Sequence, residues 1–163
     1  MFKFALCFFF LFPFVSYAQE KKQETDNHSL TSYITSNYPL TEDFLLKLEK
    51  IENECKNLLP KTKNDLVTYD SSVHSSVENY AAYISSNPKL MKILKENNIT
   101  LKDFAAGTLT LREISAFLVF VPEEEYSNEK DITFLNNLEF VKKHFFKITS
   151  LSENCEELIR SSF

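Results

Sequence analysis

Gly107 is the only glycine among 163 residues, and no other feature constrains the fold as strongly. Tight hairpin turns need backbone at positive φ, which glycine adopts at no steric cost, so this chain has few places to make them. Phosphate-cradling loops need several glycines close together and are excluded on the same ground. Helices remain, and their boundaries are written along the chain. Thr41 stands before Glu42 and Asp43, an N-cap acceptor followed by negative charge where the helix dipole favours it. Phe44, Leu48, Ile51, Cys55 and Leu58 then recur at spacings of four and three on one face, until Pro60 ends the run. Ser75-Ser76-Val77-Glu78 reads as a capping box, opening a helix with Val77, Tyr80, Ala81 and Ile84 on one side. Asn87-Pro88 is a cap with proline in the first turn, and Asn97 and Asn98 are candidates for a left-handed C-cap.

The longest helix starts at Thr100, with Asp103 three residues on and Ile99 set to staple onto Phe104. It runs from Leu101 to about Val121, where Pro122 stops it, and its stripe of Phe104, Gly107, Leu111, Ile114, Leu118 and Val121 includes the glycine. A mid-helix glycine costs about 1 kcal/mol against alanine, so close approach of another helix is the expected compensation. A last helix starts near Asn128 and carries Phe134, Leu138, Val141, Phe145, Ile148, Cys155 and Ile159, with Ser152 the polar exception. The expectation is an all-α protein, a compact bundle of four or five helices over residues 41–163.

Residues 1–18 read as a secretory signal. Lys3 supplies one positive charge ahead of an apolar run from Phe4 to Val15, and Ser16-Tyr17-Ala18 sets small residues where a signal peptidase cuts. That run is interrupted by Pro13 and is shorter than the roughly 20 residues of a spanning helix, so no stable membrane insertion is expected. Residues 19–40 form a polar, flexible arm. Export to the periplasm or beyond sets the redox context. Cys7 leaves with the signal, and Cys55 and Cys155 are expected to pair as one disulfide. Both sit near the C-terminal ends of their helices, which a plain up-and-down bundle would place at opposite poles. Pairing needs Cα atoms within about 7 Å, so one crossover connection through residues 61–74 is expected. A net charge of −5 with no basic block argues against nucleic-acid binding and against docking on anionic lipid.

Three segments carry a resemblance. Pro39-Leu40-Thr41 with Phe44-Leu45, Asn87-Pro88 followed by Ile99-Thr100-Leu101-Lys102-Asp103-Phe104, and Asn137-Leu138-Glu139-Phe140-Val141 together resemble a loose family of small exported bacterial all-helical proteins with no assigned activity. The resemblance implies a Gram-negative periplasmic setting and no chemistry. The cysteine pair is not carried over from it.

Candidate chemistry is sparse. Asp70, His74 and Glu78 fall at i, i+4 and i+8, a spacing that could hold a divalent metal on one helix. The cap at Ser75 breaks such a helix and no second ligand cluster is present, so neither a metal nor a cofactor is expected. No G-x-S-x-G context activates a serine. Glu123-Glu124-Glu125 reads as a solvated acidic loop and a candidate contact for a protein partner. Phe104, Phe117, Phe120, Phe134, Phe140 and Phe145 are candidates to line an apolar cavity inside the bundle. The expected function is non-catalytic, a protein-interaction or accessory module. The alternative is a periplasmic carrier of a small apolar ligand.

Overall fold

The structure, a computed structural model, describes residues 37–59, 71–151 and 153–161. The signal at 1–18, the arm as far as residue 36 and the connection at 60–70, with Asp70, lie outside the described residues. Every regular element among the described residues is helical: α1 Glu42–Leu58, a 3₁₀ turn Ser71–His74, α2 Val77–Ser85, α3 Pro88–Glu96, α4 Leu101–Phe120, α5 Glu123–Tyr126, α6 Ile132–Thr149 and α7 Asn154–Arg160.

The helices begin where side chains meet otherwise unpaired backbone N–H groups. Thr41 accepts from Phe44 N, Asn87 from Leu90 N, Thr100 from Asp103 N and Asp131 from Phe134 N. Ser76 accepts from Asn79 N, one residue later than the expected cap. At the end of α3, Asn98 adopts φ 51°, the left-handed conformation that glycine usually takes. Asn98 N then donates to Lys95 O and Ile99 N to Leu94 O, a Schellman closure.

Helix α4 lies at the centre, packed against α2, α3 and α6, with Phe104, Ala105, Leu109, Leu111 and Ile114 buried on several sides of it. Gly107 admits the Phe44 ring of α1. A Cβ built at Gly107 would fall inside the van der Waals envelope of that ring. The expected close approach is thus made by a ring occupying the space of the missing methyl, and the ring is itself held by Tyr38 at 5.5 Å between centroids.

Three expectations are corrected. The last long helix stops at Thr149, and Cys155 belongs to a separate helix, α7, in its first turn. Cys55 lies in the last turn of α1, and the two are joined with Cα atoms 5.0 Å apart. The crossover expected through residues 61–74 falls mostly on residues 60–70, outside the described residues. The acidic segment after Pro122 folds into one turn, α5, which buries Tyr126 against Phe117 at 5.4 Å between ring centroids. Residues 37–40, assigned by sequence to the arm, are clamped. The buried Asn137 accepts from Leu40 N at 2.9 Å and donates to Tyr38 O at 2.9 Å, while Tyr38 N donates to Thr110 Oγ1 at 3.0 Å.

Gly107→Ala is expected to lose about 1–3 kcal/mol in urea unfolding despite alanine's better helix propensity, because the ring cannot yield without repacking. Phe44→Leu in the same chain should restore part of the loss; purely additive effects would contradict the contact. Breaking the disulfide, which spans 100 residues, should lower stability by up to about 4–5 kcal/mol, read as a drop in urea midpoint on reduction.

Candidate functional site

Helix α7 has seven residues and an N-cap, Glu153, whose side chain makes no capping bond. Its first N–H groups are met from another helix. One turn before Cys55 on α1, Glu52 Oε2 accepts from Asn154 N at 2.8 Å and from Cys155 N at 3.3 Å. Asn154 Nδ2 returns a bond to Glu52 O at 3.3 Å. Farther along, the buried Asn87 donates to Leu158 O at 3.1 Å, tying α7 to the start of α3. Disulfide, borrowed cap and buried Leu158 and Ile159 together fix this short helix.

Fixing α7 places Glu156, which is only 9% exposed. Its Oε1 is met by three groups: His74 Nε2 at 2.8 Å, Tyr80 OH at 3.4 Å and Arg112 Nη1 at 3.5 Å. The His74 and Tyr80 rings lie against each other, with centroids 4.7 Å apart. Burial, and after it the Glu156 charge, holds the Tyr80 phenol well above its ordinary range. Tyr80 therefore stays protonated and remains a donor.

Between Glu52 and Glu156 opens a pocket of about 230 Å³. Leu48, Leu111, Ile148 and Leu151 supply apolar wall, while Glu52, Glu156, Tyr80 and Arg112 supply polar groups. Thr108 and Ser115 complete the α4 side. The Ser115 hydroxyl is spent on Leu111 O at 2.6 Å. Thr108 Oγ1 is buried with no hydrogen-bond partner among the described residues. Glu52 has both of its backbone bonds on Oε2, and no cation forms an ion pair with it among the described residues. Burial pushes its carboxyl up to about 7 against the pull of the Cys155 and Asn154 N–H groups, with the Glu156 and Glu153 charges adding to the rise. Among the described residues no group of three His, Cys, Asp or Glu is set to hold a metal ion.

The phenylalanines expected to enclose a ligand are dispersed. Phe104 and Phe134 are fully buried core, and Phe117 packs edge-on against Phe134 at 5.2 Å between centroids. Phe140 lies half-buried against the His144 ring, Phe145 is half-buried beside the exposed Phe146, and Phe120 is 81% exposed. None of the six lines the pocket. Glu123, Glu124 and Glu125 are exposed, and Glu123 pairs with Lys142 at 3.3 Å. His74 is taken up by Glu156, and Glu78 is exposed. His144 is mostly buried, with Nε2 2.8 Å from Glu42 Oε1.

The pocket residues left a faint mark in the sequence. Thr108, Arg112 and Ser115 are spaced four and three apart, a polar stripe on a helix otherwise apolar on most sides. Glu52 lies four residues after Leu48 and three before Cys55, at the edge of a core stripe. No family model, no curated protein and no solved structure matches the chain.

Because the folded Glu52 carboxyl titrates at about 7, above its ordinary 4.5, the folded protein holds this proton more tightly than the unfolded chain. Its burial then costs nothing below pH 4.5, and the cost grows as pH rises through 7 and is complete above it. Glu52→Gln keeps an acceptor for the α7 cap and removes the charge. The variant should match the wild type in urea melts at pH 4 and exceed it by about 2–3 kcal/mol at pH 8. A constant offset across that range would contradict the assignment.

Proposed function

We propose that this is an exported, non-catalytic binding protein that holds one compact ligand in the pocket between α1, α4 and α7. The observation that carries this reading is the lining itself. Apolar walls surround a few polar groups, each fixed on a helix and each braced from behind, the arrangement typical of small-molecule sites. A cavity of about 150 Å³ accepts benzene, so about 230 Å³ suits a ring-sized body with a short polar substituent.

Export is supported by the apolar run at 4–15 and by the Cys55–Cys155 disulfide, which fits an oxidising compartment. No helix among the described residues is long and apolar enough to cross a membrane. Binding is the favoured reading because three groups converge on one Glu156 oxygen and the Ser115 hydroxyl bonds its own helix, so the polar atoms left open to a ligand are few.

A second reading, a module that docks on another protein, is favoured by one end of the bundle. Val119 and Phe120 in the last turn of α4 and Ile132 at the start of α6 are 61%, 81% and 72% exposed. The Phe117–Phe134 contact brings those two turns to the same end.

Ligand-observed NMR against a fragment library separates the two. Hits on the wild type should weaken at least tenfold in Ser115→Trp, which fills the pocket from α4, and stay unchanged in Phe120→Asp. Hits indifferent to Ser115→Trp would move the function away from the pocket.

A further inference from the structure

We propose that the pocket takes an organic monocation, a compact apolar body bearing one ammonium group, with the ammonium seated on Glu52. The proposal rests on the reading of this pocket as a ligand site and names the chemistry that the site selects.

Charge balance in the lining is the first reason. Glu52 on α1, Glu153 before α7 and Glu156 on α7 face it, against one guanidinium, Arg112 on α4. That guanidinium lies 3.5 Å from Glu156, which His74 and Tyr80 also contact from the α2 side, and α6 contributes no charged residue to the wall. Among the described residues Glu156 is therefore compensated and Glu52 is not. An anionic ligand would meet three carboxylates, and a neutral one would leave Glu52 as it is.

The second reason is the hydrogen-bond inventory of Glu52. An ionised carboxylate has two oxygens and about four acceptor sites. Oε2 is used by the N–H groups of Asn154 and Cys155, and Oε1 has no protein partner among the described residues. A partly buried charge left in that state is costly, and an ammonium donor at Oε1 supplies both the missing bond and the missing charge. Thr108 Oγ1 on the α4 wall is a further polar group without a hydrogen-bond partner among the described residues. A metal ion is a poor candidate for the cation, since no three-ligand group is gathered among the described residues. The apolar wall of Leu48, Leu111, Ile148 and Leu151 instead selects a cation with a hydrocarbon body.

Seating a cation on Glu52 requires its carboxyl to be ionised, so binding is linked to pH. With Glu52 titrating at about 7, its ionised fraction rises from about a tenth at pH 6 to about nine-tenths at pH 8, and affinity for an ammonium should rise about tenfold over that interval. At pH 7, binding should release about half a proton.

Isothermal titration calorimetry on the exported chain tests this with six probes: butylammonium and benzylammonium, the neutral alcohols of the same shapes, and the carboxylates of the same shapes. The ammonium ions should bind at least tenfold tighter than the alcohols at pH 8, with the carboxylates weakest. The advantage should shrink about tenfold at pH 6 and vanish in Glu52→Gln. Should that variant not fold, the wild-type pH profile and proton release decide alone. Alcohols binding as well as ammonium ions, or carboxylates binding better, would overturn the proposal while keeping the pocket as a ligand site. An ammonium preference that survives Glu52→Gln would overturn the seat on Glu52. Binding by none of the six would overturn both the proposal and the pocket reading.

Discussion

The joint between α1 and α7 is the constraint on which the rest of the site depends. A seven-residue helix has too few internal hydrogen bonds to outweigh its nucleation cost, so its position must be imposed from outside. Two agents impose it within one helical turn of α1: the disulfide from Cys55 and the cap from Glu52. The covalent link sets where the N-terminus of α7 lies. The carboxylate sets its direction, because it meets two adjacent N–H groups at the first turn. Glu156 follows Cys155 directly, so its carboxylate reaches His74, Tyr80 and Arg112 only while α7 keeps that direction.

The same economy of short segments held by side chains recurs across the bundle. Asn137 on α6 clamps residues 38–40, Asn87 bridges α3 to α7, and Asn97 donates to Ile93 O and to Glu54 on α1. Each amide is buried, and each would cost about 1–3 kcal/mol if its partner were lost. In a chain with one glycine, asparagine also takes the left-handed position at Asn98 that ends α3. Asparagine thus both turns the chain and fastens the turned segments, and Gly107 is kept for the one place where a ring must replace a β carbon.

Local signals were legible and non-local ones were not. The caps at Thr41, Asn87 and Thr100 are read from three or four neighbouring residues and fall where expected. Helix α6 starts at Ile132, four residues after the expected Asn128, because the cap is Asp131, which has no acidic partner in the next turn to mark it in the sequence. The break between α6 and α7 was hidden because Ile148, Cys155 and Ile159 keep helical spacing across it. Ser152, the one polar residue on that stripe, was the trace it left. Phe120 is apolar like the cavity candidates beside it, but an apolar residue is buried only where a neighbour covers it, and among the described residues none covers it at the last turn of α4. Glu52, Arg112 and Glu156 are the residue types of any solvated helix face. Only the packing of α7 against α1 reveals that two of them are withdrawn from water.

Glu52 holds two duties on one carboxyl group, and this couples the pocket to the fold. Oε2 caps α7, while Oε1 has no partner among the described residues. An ionised carboxylate is the stronger acceptor for the cap, whereas a neutral carboxyl is the cheaper group to bury. These demands oppose each other, and burial against the pull of the two N–H groups leaves the carboxyl at about 7. A cation at Oε1 ends the conflict, because it removes the cost of the charge and keeps the stronger cap. The ligated pocket and the well-anchored α7 then favour the same ionisation state. The disulfide, with the buried Leu158 and Ile159, helps to keep α7 beside α1 when the carboxyl is neutral and the cap is weaker, so that Glu156 keeps its contacts in either ionisation state.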